Sequence, residues 1–215
     1  MILYHGSENI IDKPEWGKGK FYNDYGRGFY CTENKDLAKE WACTDSYIGY
    51  VNVYGFDIDR LNILNLIHEK YSVLNWLAIL IEHRGTRITT PIAKSGAKWL
   101  KDNYYIDVDS YDVIRGYRAD DSYFAFARAF LNNEISYKQL SYAMDLGRLG
   151  EQVVIKSKYG FEKIKYIESE KSGTVYLKQR KLRDDKARKL YIEEMENEDL
   201  DGIYIRDMIR DGGIK

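Results

Sequence analysis

A glycine-bracketed turn that runs straight into a strand and then a helix constrains this chain more than any other stretch. Tyr25-Gly26-Arg27-Gly28 leads into the aromatic and β-branched run Phe29-Tyr30-Cys31-Thr32, and Glu33 to Ala42 follows with Trp41 near its end. Gly26 and Gly28 permit backbone angles that a Cβ would block, so a ligand or another backbone can come close. Phe29 to Thr32 reads as a strand, and Asn34 or Thr32 can cap a helix over Lys35 to Cys43. The neighbours of this turn are therefore candidates for a site.

Strands flank the turn on both sides. Ile2-Leu3-Tyr4 is a short strand ending at His5-Gly6-Ser7, and a polar loop with Pro14, Gly17 and Gly19 joins it to the turn. Tyr47 to Ile58 alternates through Val51, Val53, Tyr54 and Phe56 and reads as a third strand. From Leu61 to about Lys101 the spacing becomes helical, with Leu74, Leu77, Leu80 and Ile81 on one stripe beside Trp76. The break at Gly85 to Pro91 splits this region into two helices, a helical insertion over about 61–105 carried by the β framework.

Ile106 to Arg115 reads as a further strand, and the chain then turns at Gly116 to Ser122 into a helix that Asp120 or Asp121 can cap. Ser136 caps another helix through Met144. Gln152-Val153-Val154-Ile155 and Lys163 to Ile167 are the last strands. Beyond Glu168 the chain is heavily charged, as a solvated helix is, and Ile203 to Ile209 is apolar enough to dock back. The expectation is an α+β domain over 1–167 with a mainly helical extension over 168–215 packed on it.

Composition narrows the function classes. Hydrophobic residues at 44% and charged residues at 31% exclude wholesale disorder. Lys+Arg 33 against Asp+Glu 34 gives a net charge of -1, so no global basic field draws in nucleic acid, although a local basic face remains open. Twenty tyrosines suit either a β-rich core or stacking on planar ligands. Cys31 and Cys43 match no metal-ligand spacing, which with three scattered histidines gives no metal site. No leader pattern and no membrane-length apolar run is seen, and a cytoplasmic protein is expected.

Familiar catalytic motifs are missing. Gly26-Arg27-Gly28 lacks the third glycine and the setting of a dinucleotide fingerprint, and neither a phosphate-binding lysine loop nor a GxSxG elbow occurs. A Cys31–His5 thiolate pair is disfavoured, because a cysteine inside a strand is ordinarily packing material.

Three features stand in order: His5-Gly6-Ser7, then Gly26-Arg27-Gly28-Phe29-Tyr30, then Gly150-Glu151-Gln152 before a late strand. That set, with Ala38 to Trp41 as the following helix, resembles the ADP-ribosyltransferase superfamily, in particular its poly(ADP-ribose) polymerase-like branch and bacterial toxin-like relatives. The likeness covers Leu3 to about Ile167. It implies a split pair of small antiparallel sheets with peripheral helices, and NAD as substrate.

Within the resemblance, His5 would bond the adenine-side ribose and the Gly6 backbone would hold the nicotinamide amide. Tyr30 would stack on the nicotinamide, with Trp41 as a second wall and Ser7, Gly28 and Ala38 lining the slot. The family's catalytic glutamate aligns with Gln152, which directly precedes the apolar run. Glu151 is adjacent, but successive strand residues face opposite sides, so only one of the two enters the cleft. Ala38 stands where polymerase-type members place a serine. These departures point to mono-ADP-ribosyl transfer rather than chain growth, with an inactive binding module or an NAD glycohydrolase as alternatives. Partners implied are a protein or nucleic-acid acceptor, which Arg118, Asp120 or the charged tail could touch, and a cognate antitoxin if the setting is a toxin–antitoxin or defence system.

Overall fold

The computed structural model describes residues 1–84, 88–119, 121–147 and 150–213. In chain order its elements are β1 (Ile2–Ser7), β2 (Phe29–Cys31), α1 (Lys35–Trp41), β3 (Tyr50–Phe56), β4 (Ile63–Asn65), α2 (Val73–Arg84), α3 (Pro91–Tyr104), β5 (Val113–Tyr117), α4 (Asp121–Leu131), α5 (Tyr137–Gly147), β6 (Glu151–Ile155), α6 (Lys158–Glu162), β7 (Ile164–Lys171), α7 (Thr174–Glu196) and α8 (Ile205–Asp211). The fold is α+β with two sheets, ordered β1-β3-β7 and β2-β6-β5-β4. The sheets meet where Tyr4 and Thr32 exchange backbone hydrogen bonds of 2.8 and 2.9 Å.

Side-chain alternation explains the layering. Val113, Val153 and Ile155 pack with Leu3, Cys31 and Phe56 in one apolar cluster, whereas Ile114 and Val154 join the larger core of the helices. The four-stranded sheet is thus apolar on both faces, which is why Val153-Val154-Ile155 is an unbroken apolar run. Helix α2 buries Leu74, Trp76, Leu77, Ala78, Ile79 and Leu80, more than one stripe, and is the central helix of that core.

One expectation is corrected. The sheets are not wholly antiparallel: β4 pairs with β5 in parallel, Ile63 opposite Val113. Parallel neighbours need a long crossover, and α2 with α3 forms it. The helical region over about 61–105 is therefore a connection inside the sheet, with β4 at its start. A single 3₁₀ turn at Val108–Ser110 takes the place of the first half of the expected strand, which begins at Val113. Asp120 and Gly85 lie outside the described residues.

Capping follows the sequence closely. The Asn34 side chain accepts from the Leu37 N–H at 3.1 Å, and the Ser136 hydroxyl accepts from the Gln139 N–H at 3.2 Å. Helix α7 packs on α1, α4 and α5, held by an Arg183–Glu40 ion pair at 2.7 Å and by Arg180 donating to the Cys43 carbonyl at 2.7 Å. Ile205 and Met208 of α8 are fully buried, with α8 against α3. Among the described residues no helix is long and apolar enough to cross a membrane.

Candidate functional site

At the seam between the sheets lies a cleft of about 840 Å³, within the roughly 300–1,000 Å³ range of small-molecule sites. Its walls come from the end of β1, from β2, from the last turn of α1, from the first half of β6 and from the segment 8–24. Four elements far apart in sequence thus converge on one opening.

His5 is partly exposed at the end of β1. Its ring lies against Phe29, with centroids 4.4 Å apart, and Nδ1–H donates to the Tyr30 carbonyl at 2.7 Å. A carbonyl only accepts, so the proton sits on Nδ1 and Nε2 is left as an acceptor. Burial lowers the imidazole below its usual pKa, against the raising effect of that hydrogen bond. The ring is therefore neutral near pH 7, and Nε2 has no partner among the described residues.

Tyr30 lines the cleft, and its hydroxyl is already engaged elsewhere. The hydroxyl donates to the Gly26 carbonyl at 2.7 Å and accepts from the Tyr25 N–H at 3.0 Å, tying the strand back onto the glycine turn. Desolvation pushes that hydroxyl well above the ordinary tyrosine range. Gly26 has φ of +72°, and an added Cβ would lie 2.8 Å from His83 Nδ1, so the turn needs glycine on both counts.

Trp41 closes the same cleft from α1. Its indole Nε1 is buried, with no hydrogen-bond partner among the described residues, a costly state for a donor. The Arg118 guanidinium lies 5.1 Å from the indole centroid. Gly6 lets α1 come this near: a Cβ there would fall 2.0 Å from the Ala38 carbonyl and 2.9 Å from Trp41 Cβ.

Gln152 enters the cleft from β6, 3% exposed. Its Nε2 donates to Asp24 Oδ2 at 2.8 Å and to the Tyr117 carbonyl at 3.1 Å. Both partners are acceptors, so this position requires a donor and a carboxylate could satisfy neither. Gln152 Oε1 takes no hydrogen bond from a described residue. Asp24 also accepts from Arg84 at 2.8 Å through Oδ1 and from the Ala119 N–H at 2.8 Å through Oδ2. A buried carboxylate thus sits directly behind the glutamine amide.

Other expected residues are placed differently. Glu151 is exposed, does not line the cleft and faces Arg115 at 4.0 Å, so the two neighbours divide as pleating requires. Ala38 is fully buried beneath Gly6 and does not line the cleft. Ser7 lines it, but its hydroxyl donates to the Asn9 carbonyl and accepts from Asn52. Gly28 also lines it; its missing Cβ makes room for Val154 Cγ1, 2.5 Å from where it would stand. Cys31 is buried, and desolvation raises its thiol, so it is no thiolate. Among the described residues no group of three or more candidate metal ligands occurs.

Sequence reasoning missed Asp24 and Arg84. Asp24 carried a faint signal, the one acid between Trp16 and the Gly26 turn, in a stretch that is otherwise basic, aromatic or small; Arg84 carried none. With them the cleft presents two acceptors at His5 and Gln152 that no described residue occupies, two aromatic walls and cations from Lys13, Lys18, Lys20, Arg84 and Arg118. That set fits a ligand with hydroxyls, a planar ring and anionic groups.

A family model matches residues 1–166, from β1 into β7. The chain belongs to the DUF3990 family, whose members are described as proteins of unknown function. All the cleft residues named above fall inside the DUF3990 match, while α7 and α8 lie beyond it. No curated protein and no solved structure matches the chain.

Proposed function

We propose that the chain is a mono-ADP-ribosyltransferase that uses NAD as its substrate and acts inside the cell. The observation that carries this reading is the convergence of His5, Tyr30, Trp41 and Gln152 on one cleft, the residues that the sequence resemblance singles out. The two acceptors at His5 and Gln152 that no described residue occupies support a polar ligand there.

In this reading the neutral His5 Nε2 accepts a ribose hydroxyl, and the Gly6 backbone holds the nicotinamide carboxamide. The Tyr30 ring and the Trp41 indole flank the pyridinium, whose positive charge an aromatic face attracts by roughly 0.5–2 kcal/mol. The reaction breaks the bond between nicotinamide and ribose C1′, nicotinamide leaving with the electron pair. An acceptor oxygen or nitrogen then bonds C1′ and releases its proton. Positive charge develops on the ribose, as in glycoside cleavage, where hydrogen bonds to the neighbouring hydroxyl strengthen. Gln152 Oε1 supplies that bond. The charge that a glutamine lacks stands one bond behind it, on Asp24.

The test is incubation with NAD labelled on its adenylate portion, together with lysate, following both nicotinamide release and label transfer. Transfer that disappears in His5→Ala and Tyr30→Ala supports the proposal, and nicotinamide release without a labelled acceptor makes the protein a glycohydrolase. A second reading has its own observation: Asp24 is already ion-paired with Arg84 at 2.8 Å, which offsets its charge and suits a binding module. Calorimetry that detects NAD binding while no nicotinamide appears selects that reading.

A further inference from the structure

We infer that the acceptor is a single-stranded nucleic acid, bound on a platform that the segment 12–27 raises beside the cleft; this rests on the ADP-ribosyl transfer reading for its chemistry but not for its binding. Trp16, Phe21 and Tyr22 are 60%, 64% and 64% exposed. Large exposed aromatics clustered within a few residues mark a binding surface rather than a core. Each adjoins residues of the cleft wall in sequence: Glu15 and Lys18 bracket Trp16, and Lys20 and Asn23 bracket Phe21 and Tyr22. The platform is therefore the rim of the candidate site.

Two of the rings are held in place while exposed. The Trp16 Nε1–H donates to the Lys156 carbonyl at 2.9 Å, fixing the indole against the end of β6. The Arg27 guanidinium covers one face of Phe21 at 3.4 Å from its centroid, and Arg27 is itself exposed. A stacked guanidinium and a pinned indole are flat surfaces whose rotamer freedom is already restricted, and restriction before binding lowers the entropic cost of a stacked base.

Charge favours nucleic acid over protein. In a chain of net charge -1, this segment carries Lys13, Lys18, Lys20 and Arg27 against the exposed carboxylates of Asp12 and Glu15, the latter paired with Lys18 at 2.6 Å. Asp24 is turned inward to Arg84. Protein interfaces are depleted of lysine at their centres, whereas single-strand grooves interleave cations with stacking rings. A strand tracking these cations would bring a base or sugar to the mouth of the cleft, where a ring nitrogen or a hydroxyl could take the ribosyl group and lose its proton to solvent.

The experiment is fluorescence anisotropy of labelled mixed-sequence DNA and RNA strands, about 12 nucleotides long to cover one such site, with full-length His5→Ala protein and no NAD. Binding should weaken with salt, with a log–log slope of roughly −2 to −3 if four cations meet phosphates. The double variant Trp16→Ala, Phe21→Ala should bind about tenfold or more weakly, and Lys13→Ala with Lys20→Ala should flatten the slope, with circular dichroism showing that each variant is folded. With wild-type protein and labelled NAD, the label should enter nuclease-sensitive, protease-resistant material. No strand binding at low salt, binding indifferent to Trp16 and Phe21, or label in protease-sensitive material overturns the inference. Aromatic-dependent strand binding without nicotinamide release upholds the platform and overturns the transferase reading alone.

Discussion

The half of the cleft built on β1 and α1 and the half built on β6 use polar groups in opposite ways. On the first side His5 Nε2 and Trp41 Nε1 have no described partner, and the backbone is positioned by the tight contact of Gly6 with α1. On the second side almost every polar atom is already engaged, through the Asp24, Arg84, Gln152 and Tyr117 network. Free valences suit recognition, while a satisfied network suits rigidity. The difference teaches that the residue type at 152 follows from its neighbours: Asp24 and the Tyr117 carbonyl demand a donor, whatever role the position has toward a ligand.

Perturbing the β6 half should have the largest effect. Asp24→Ala removes the carboxylate that Arg84, Gln152 Nε2 and the Ala119 N–H share, and breaking such a mostly buried pair costs about 4 kcal/mol, read as a lower urea midpoint. On the other side, Gly6→Ala drives a Cβ into the Ala38 carbonyl; overpacking of this kind costs about 2–3 kcal/mol and should weaken NAD binding in calorimetry by moving Trp41. If Asp24→Ala proves the milder of the two, the network is not what holds its half.

Gln152→Glu separates the two explanations of that residue. A carboxylate beside Asp24 loses two donated hydrogen bonds and adds like charge, a destabilisation of about 2 kcal/mol at neutral pH. The deficit should shrink in acid, where the new carboxyl is protonated and can donate. A variant as stable as wild type at pH 8 and more active would show that glutamine is a replaced glutamate, not a demand of Asp24.

The smallest effect is a pH slope on the β1 half. Burial lowers the pKa values of both His5 and His83. The unfolded chain therefore takes up protons first as pH falls past about 6.5, so stability is full above that value and declines toward the lowered folded values. Denaturation midpoints at pH 7.5 and 5.5 should differ in that sense, and His5→Gln should reduce the difference. An unchanged slope would place the linkage on His83 alone.

Local signals made most of this legible. Asn34 and Ser136 announced their helices, Val153-Val154-Ile155 announced a strand, and His5, Tyr30, Trp41 and Gln152 stood out before their convergence was visible. What stayed hidden was non-local. The parallel pairing of β4 with β5 depends on a crossover that periodicity cannot express, and three residues leave little alternation to detect. Asp24 and Arg84 lie 60 positions apart and meet only in the fold. Ala38 matched its expected helix, but the near contact of Gly6 turned it away from the cleft.

The junction of the two sheets, the exchange of hydrogen bonds between Tyr4 and Thr32, has a mechanical meaning. With the His5–Tyr30 bond one residue further along β1, these bonds hold the sheets together along a short line and leave the rest of their separation to packing. That packing is the cluster of Leu3, Cys31, Phe56, Val113, Val153 and Ile155 wedged between the sheets, and Phe29 and Phe161 pack on it and also line the cleft, so apolar volume behind the cleft wall governs the aperture available to a ligand.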